Sequence, residues 1–114
     1  MAIDLEETRR IAFAFPGMVE GTAYGTTAFR IGKAFLARLR DGDSVLALKM
    51  DINERDMLIE AEPSIFFLTE HYRAYPYVLV RLEACEPERL RRLFERAWRA
   101  AAPARLRAAQ EKAG

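Results

Sequence analysis

The sequence predicts an α+β fold: an antiparallel sheet with helices packed on one face. Three observations carry that expectation. Apolar residues follow helical spacing behind capping signatures near both ends of the chain. A central stretch rich in β-branched and aromatic residues alternates in polarity with period two. Short turn sequences join its alternating runs at hairpin distance. At 114 residues the chain accommodates one core and not two, so residues 1–114 are read as a single domain.

Residues 4–14 are read as the first helix. Asp4 with Glu7 approximates a capping box, Thr8, Ile11, Ala12 and Phe15 follow one face, and Pro16-Gly17 ends it. A three-strand meander is expected at 27–31, 34–40 and 44–50, turning at Gly32-Lys33 and at Arg40-Asp41-Gly42-Asp43. Asp51 with Glu54 repeats the capping signature and opens a short helix at 53–61, which stops before Pro63. Residues 65–68 form a short strand, 69–76 follow neither period and are read as a loop, and 77–82 form a further strand. Glu86-Pro87 places a proline in the first turn of a helix whose buried stripe is Leu90, Leu93, Phe94, Ala97 and Trp98. Pro103 breaks it, and residues 104–112 form a last helix rich in alanine and arginine.

Composition narrows the function classes. With 51% apolar and 31% charged residues the chain is globular rather than disordered. A formal net charge of +1 gives no bulk attraction to nucleic acid, so any such binding requires charge segregated within the molecule. No apolar run approaches the ~20 residues of a membrane span. The opening residues are acidic and lack a leader's apolar segment, and the single Cys85 excludes an intrachain disulfide, so a cytoplasmic address without membrane contact is expected.

The charge is in fact segregated. Residues 50–70 carry six acids against Arg55 alone, whereas residues 89–112 carry eight bases against Glu95 and Glu111. Strand alternation sharpens the pattern, because successive side chains point to opposite faces. One set, Phe29 and Ile31, Phe35, Ala37 and Leu39, Leu46, Leu48 and Met50, Val78, Val80 and Leu82, is wholly apolar and is assigned to the core. The opposite set, Ala28 and Arg30, Leu36, Arg38 and Arg40, Val45, Ala47 and Lys49, Tyr77, Leu79 and Arg81, holds five bases and no acid. Two readings fit that face. It is a solvated sheet face of the ordinary kind, or it is a binding surface whose apolar Leu36, Val45 and Leu79 are covered by the last helix or by a partner.

Two segments resemble the signatures of the MmcQ/YjbR family. The first runs from Glu20-Gly21-Thr22-Ala23-Tyr24-Gly25 through Phe29-Arg30 to Gly32-Lys33 and Phe35-Leu36-Ala37. The second is His71-Tyr72-Arg73-Ala74-Tyr75-Pro76-Tyr77 and the strand after it. Tyr77 stands where many relatives carry tryptophan, and Thr27 where they usually carry proline. The resemblance implies a fold similar to that of the frataxin-like CyaY proteins, and it implies a double-wing DNA-binding role. The Gly32-Lys33 hairpin would then be one wing. The Arg40–Asp43 turn would be the other, though Asp41 and Asp43 would repel a phosphate backbone.

Under the nucleic-acid reading, Arg30, Lys33, Arg38, Arg40, Lys49 and Arg81 contact phosphate, and Tyr24, Tyr72 or Tyr75 stack on bases. The competing reading is a protein- or small-ligand-interaction domain, with homodimerisation as one form. It uses the polar-tipped aromatics Tyr24, His71, Tyr72, Tyr75 and Tyr77 together with Arg73. For catalysis the inventory is thin. His71 is the one histidine, no nucleophile motif accompanies Glu70-His71, and Cys85 reads as a small buried hydrophobe, so no enzyme activity and no cofactor are expected. One histidine and one cysteine cannot build a structural zinc site without carboxylates, and Asp4, Glu6 and Glu7 serve as helix-terminal partners, so no metal is expected. The bases of the C-terminal helices, Arg89 to Lys112, either add to the nucleic-acid surface or form a solvent face studded with Arg and Glu, and the second reading is preferred.

Overall fold

Asp4 opens the first helix by accepting a hydrogen bond from the Glu7 amide at 2.8 Å, which satisfies a donor that no helical turn could reach. In the computed structural model, which describes residues 3–113 and side chains through Gln110, this helix is α1 (Leu5–Ala12). Strands β1 (Met18–Ala23), β2 (Thr26–Ile31), β3 (Ala34–Arg40) and β4 (Val45–Lys49) follow as an antiparallel meander. Helix α2 (Ile52–Ala61) is capped by Asp51, which accepts from the amides of Asn53 and Glu54. After it come β5 (Phe66–Phe67), a 3₁₀ turn at Glu70–Tyr72 and β6 (Tyr77–Arg81). Helices α3 (Pro87–Ala101) and α4 (Ala104–Ala113) close the chain; the side chains of Glu111 and Lys112 lie outside the described residues. The sheet has six strands in the order β1-β2-β3-β4-β6-β5, every neighbouring pair antiparallel.

One side of the sheet packs against the helices. Phe29, Leu39, Leu46, Leu48, Val78 and Val80 are fully buried there with Leu90, Phe94 and Trp98 of α3 and with Ile11 and Ala12 of α1. Burying each large side chain stabilises the fold by about 1.5–3 kcal/mol. Trp98 also donates its indole N–H to the Pro16 carbonyl at 2.8 Å and packs 5.8 Å from the Phe15 ring, joining α3 to the chain leaving α1. Phe15 is therefore core, as expected, although α1 ends before it, at Ala12.

Three expectations are corrected. The meander has four strands, because Met18–Ala23 pairs with β2 as the sheet's edge strand. Its burial does not alternate cleanly, and Val19 and Gly21 are exposed, so the sequence carries little period-two signal there. Second, Phe35 and Leu36 exchange sides. A β-bulge interrupts the β2–β3 register between Phe29 and Arg30, so Phe29 pairs with Ala37 while Arg30 pairs with Phe35. Leu36 enters the helix-side core at 0% exposure, and Phe35 turns to the basic side. Third, the last helix does not cover the basic side: Leu106 of α4 packs against the helix-side core. Val45, Ala47 and Leu79 cluster with Tyr72, from the segment between β5 and β6, and with Phe67, Leu68 and Tyr77 packed against them.

Candidate nucleic-acid interface

The second side of the sheet gathers the cations that strand alternation assigned to it. Arg30, Arg38, Arg40 and Arg81 lie half-buried on β2, β3 and β6, while Lys33 and Lys49 are exposed at the β2–β3 turn and the end of β4. Among the described residues, none of these six has a carboxylate within 4.0 Å. The helix side differs. Arg89 is held by Glu62, Arg96 by Glu54, Arg91 and Arg92 by Glu88, and Arg99 by Glu95. Arg9 bridges Glu6 and Glu20. The arginines of α3 are thus the neutralised Arg/Glu face the sequence predicts, whereas Arg105 and Arg107 of α4, like the sheet cations, have no carboxylate within 4.0 Å among the described residues.

Aromatic rings hold the sheet arginines. Arg30 lies 5.2 Å from the Phe35 centroid, next to Gly21 on the neighbouring strand. Arg38 lies 5.1 Å from the Tyr24 centroid and donates to Thr26 Oγ1 and to Tyr72 Oη, both at 3.1 Å. Arg40 lies 5.4 Å from the Tyr72 centroid, and its Nη1 is buried without a hydrogen-bond partner among the described residues. Arg81 lies 4.1 Å from the Phe67 centroid and donates to the Pro63 carbonyl at 2.9 Å. A ring face attracts a guanidinium without neutralising it, so each arginine is oriented yet keeps its full charge for an anion.

The two family-like segments meet at Arg38, which touches Tyr24 from the first and Tyr72 from the second. The loop tyrosines then divide. Tyr72 is buried at 8% exposure and cannot stack on a base, contrary to its place among the stacking candidates. Tyr77 is half-buried between Phe35 and Tyr72, and burial pushes its phenol pKa above the ordinary value. Tyr24, at 91%, and Tyr75, at 54%, remain exposed. His71 packs edge-on to Tyr72 at 5.0 Å, and Glu70 is taken by Arg73 at 2.6 Å rather than by the histidine.

The structure adds residues that pattern did not single out for this surface. Arg55 of α2 is 3% exposed and donates to the carbonyls of Tyr75 at 2.8 Å and Tyr72 at 3.4 Å, pinning the loop. Its standing as the lone base in an acidic stretch was the available signal. Phe35, Phe67 and Thr26 emerge as arginine partners only once the bulge and the short β5 are known.

The turns shape the surface. Tyr24-Gly25 joins β1 to β2 with both residues at positive φ, 54° and 80°, as a type I′ turn requires. Gly32-Lys33 joins β2 to β3 with positive φ at Gly32 only, the type II′ pattern. In the β3–β4 turn Asp41 and Asp43 both have positive φ and neither pairs with a described cation, so this turn is the anion-repelling corner of the surface. A cavity of about 370 Å³ lies away from the sheet arginines, between the end of β4, α2 and α3, with Arg96 in its lining; of the candidate cations only Lys49 lines it. Among the described residues no cluster of three metal-ligating side chains occurs, and no helix is long and apolar enough to cross a membrane.

Comparison with known proteins agrees with this architecture. A family model described as YjbR matches residues 13–100, which takes in every strand, α2 and α3 up to its last residue, and leaves out α1 and α4. The uncharacterized proteins Rv2570 of Mycobacterium tuberculosis and Mb2600 of Mycobacterium bovis are each 40% identical to the chain over 65 residues, covering 57% of it and 50% of themselves. The chain thus spans about half the length of the curated relatives it matches. The crystal structure of the Deinococcus radiodurans protein DR2400, a DUF419 domain, matches 96% of this chain and 89% of its own with a TM-score of 0.77. At 18% identity, that similarity is one of fold.

Proposed function

The chain belongs to the YjbR family, and from that premise we propose that it is a DNA-binding protein, not an enzyme, which grips phosphates with the second side of its sheet. One observation carries the reading. Among the described residues every candidate cation of the sheet lacks a carboxylate partner, whereas all five arginines of α3 have one. A surface meant only for solvation would gain from the same mixing of charge that α3 displays. Held on rings instead, and Arg38 also on two hydroxyls, Arg30, Arg38 and Arg40 keep their charge intact. Arginine's planar fork suits phosphate oxygens, and Lys33 and Lys49 add point charges at the rim.

Such binding is driven by release of counterions, so its signature is salt dependence. The affinity for a labelled duplex of about 20 base pairs should fall with log salt at a slope near −0.9 per phosphate contacted. The Arg30→Ala/Lys33→Ala/Arg38→Ala variant should bind more weakly and with a flatter slope. Binding with a flat salt response, or none at low salt to duplex or single strand, would reject the reading. It would return attention to a protein or small-ligand partner at the tyrosine-bearing loop.

A further inference from the structure

The exposed rings of this surface are connected. Tyr24, at the tip of the β1–β2 turn, lies over Arg38; Arg38 donates to the Tyr72 hydroxyl; Tyr72 packs on His71 at 5.0 Å; and His71 lies 6.2 Å from Tyr75. The track therefore has a strongly exposed ring at one end, a half-exposed ring at the other, and arginines along it. Tyr24 is held by a cation on one face of its ring while the residue as a whole stays 91% exposed. It also stands at φ 54°, a backbone region that side-chain-bearing residues enter at a cost. The turn chemistry alone would favour asparagine or aspartate before Gly25, so the turn itself does not call for a large ring there.

Resting on the phosphate-binding reading above, we propose that the preferred partner is single-stranded nucleic acid, with unpaired bases stacked on Tyr24 and Tyr75 while its phosphates meet the arginines between them. A base inside a duplex has both faces occupied by its neighbours and cannot offer one to a protein ring, whereas an unpaired base can. Duplex readers commonly place a helix in the major groove. Here the helices pack on the opposite side of the sheet, and the basic side presents strands, a 3₁₀ turn and hairpin tips.

The experiment separates bases from phosphates. The full chain is titrated by fluorescence anisotropy with three labelled probes: oligothymidylate of about 12 nucleotides, an abasic phosphodiester of the same length and charge, and a duplex of that length. Oligothymidylate is expected to bind about tenfold or more tightly than the abasic strand, and more tightly than the duplex. Tyr24→Ala should erase most of the advantage over the abasic strand while weakening abasic binding far less, because Arg38 keeps its bonds to Thr26 and Tyr72, and Tyr75→Ala should act in the same direction. Tyr24→Asn keeps the turn and should give the same result as Tyr24→Ala, which excludes misfolding as the cause. Equal, salt-sensitive binding of the two single strands, or tighter binding of the duplex, would overturn the inference and leave the phosphate reading standing. Binding of none of the probes would overturn both.

Discussion

Arg55 Nη1 donates to the carbonyl oxygen of Tyr75 at 2.8 Å, and the same nitrogen reaches the carbonyl of Tyr72 at 3.4 Å. A guanidinium from α2 thus holds the loop that carries Tyr75, while its Nε is paired with Asp56 at 3.0 Å. The loop has no regular secondary structure of its own beyond the 3₁₀ turn, so this buried fork fixes where its rings stand.

Arg55→Met removes donors from two main-chain carbonyls and should cost about 2–3 kcal/mol in urea denaturation. Amide exchange should accelerate over residues 69–76 before the rest of the chain responds. Arg55→Lys should recover little, because one ammonium cannot copy the planar fork. Exchange that rises uniformly along the chain would assign Arg55 to the global core instead.

The bulge makes a sharp pair of predictions. Leu36→Ala empties a fully buried site and should cost about 2–5 kcal/mol, whereas Phe35→Ala, at a half-buried ring, should cost clearly less. Phe35→Ala should also free Arg30 from its ring contact. The opposite order of urea midpoints would restore unbroken strand alternation.

Tyr24→Asn places a residue suited to the left-handed region before Gly25 and should stabilise the fold by up to about 1 kcal/mol. The same substitution should weaken binding to unpaired bases. A protein that becomes more stable and a poorer binder would identify Tyr24 as retained for contact and not for folding; loss of stability would identify the ring's packing on Arg38 as structural.

Two carboxylates couple stability to pH. Bidentate hydrogen bonds from Arg9 hold Glu20 below the ordinary value of 4.5, and those from Arg89 do the same for Glu62. A depressed pKa in the folded state means stability that is present above the unfolded value and lost as pH falls through the folded one. The urea midpoints of wild type and Glu20→Gln/Glu62→Gln should therefore differ near about pH 7 and converge as pH drops below 4.5. A gap that persists in acid would mean the pairs act by packing alone.

Burial pushes the Cys85 thiol up to about 11, and the residue is 2% exposed. At about pH 8 a thiol reagent should leave the native protein unmodified and react at once in denaturant. Prompt native labelling would place Cys85 at the surface.

Much of this structure could be read in the chain, and the parts that could not share a physical cause. Leu90, Leu93, Phe94, Ala97 and Trp98 announce α3 because a helix repeats its apolar face over many turns. The Glu88, Arg92, Glu95 and Arg99 pairs follow from the same period. The cationic side of the sheet was legible because Arg38, Arg40, Lys49 and Arg81 keep strict alternation. Leu36 was misplaced because a bulge shifts the phase by one residue without a compositional mark. β1 was missed because an edge strand with exposed Val19 and Gly21 has little to bury and so no period to show. The roles of Arg55 and Tyr72 rest on contacts between residues 17 and 34 positions apart, which local pattern does not encode.

Trp98, the chain's one tryptophan, is wholly buried, hydrogen-bonded to Pro16 and placed on the helix side of the sheet, with the strands between it and the basic surface. Its emission is therefore a private gauge of the core. It should shift when the molecule unfolds and stay constant when a polymer settles on the far side, so one cuvette can tell a variant that no longer binds from a variant that no longer folds.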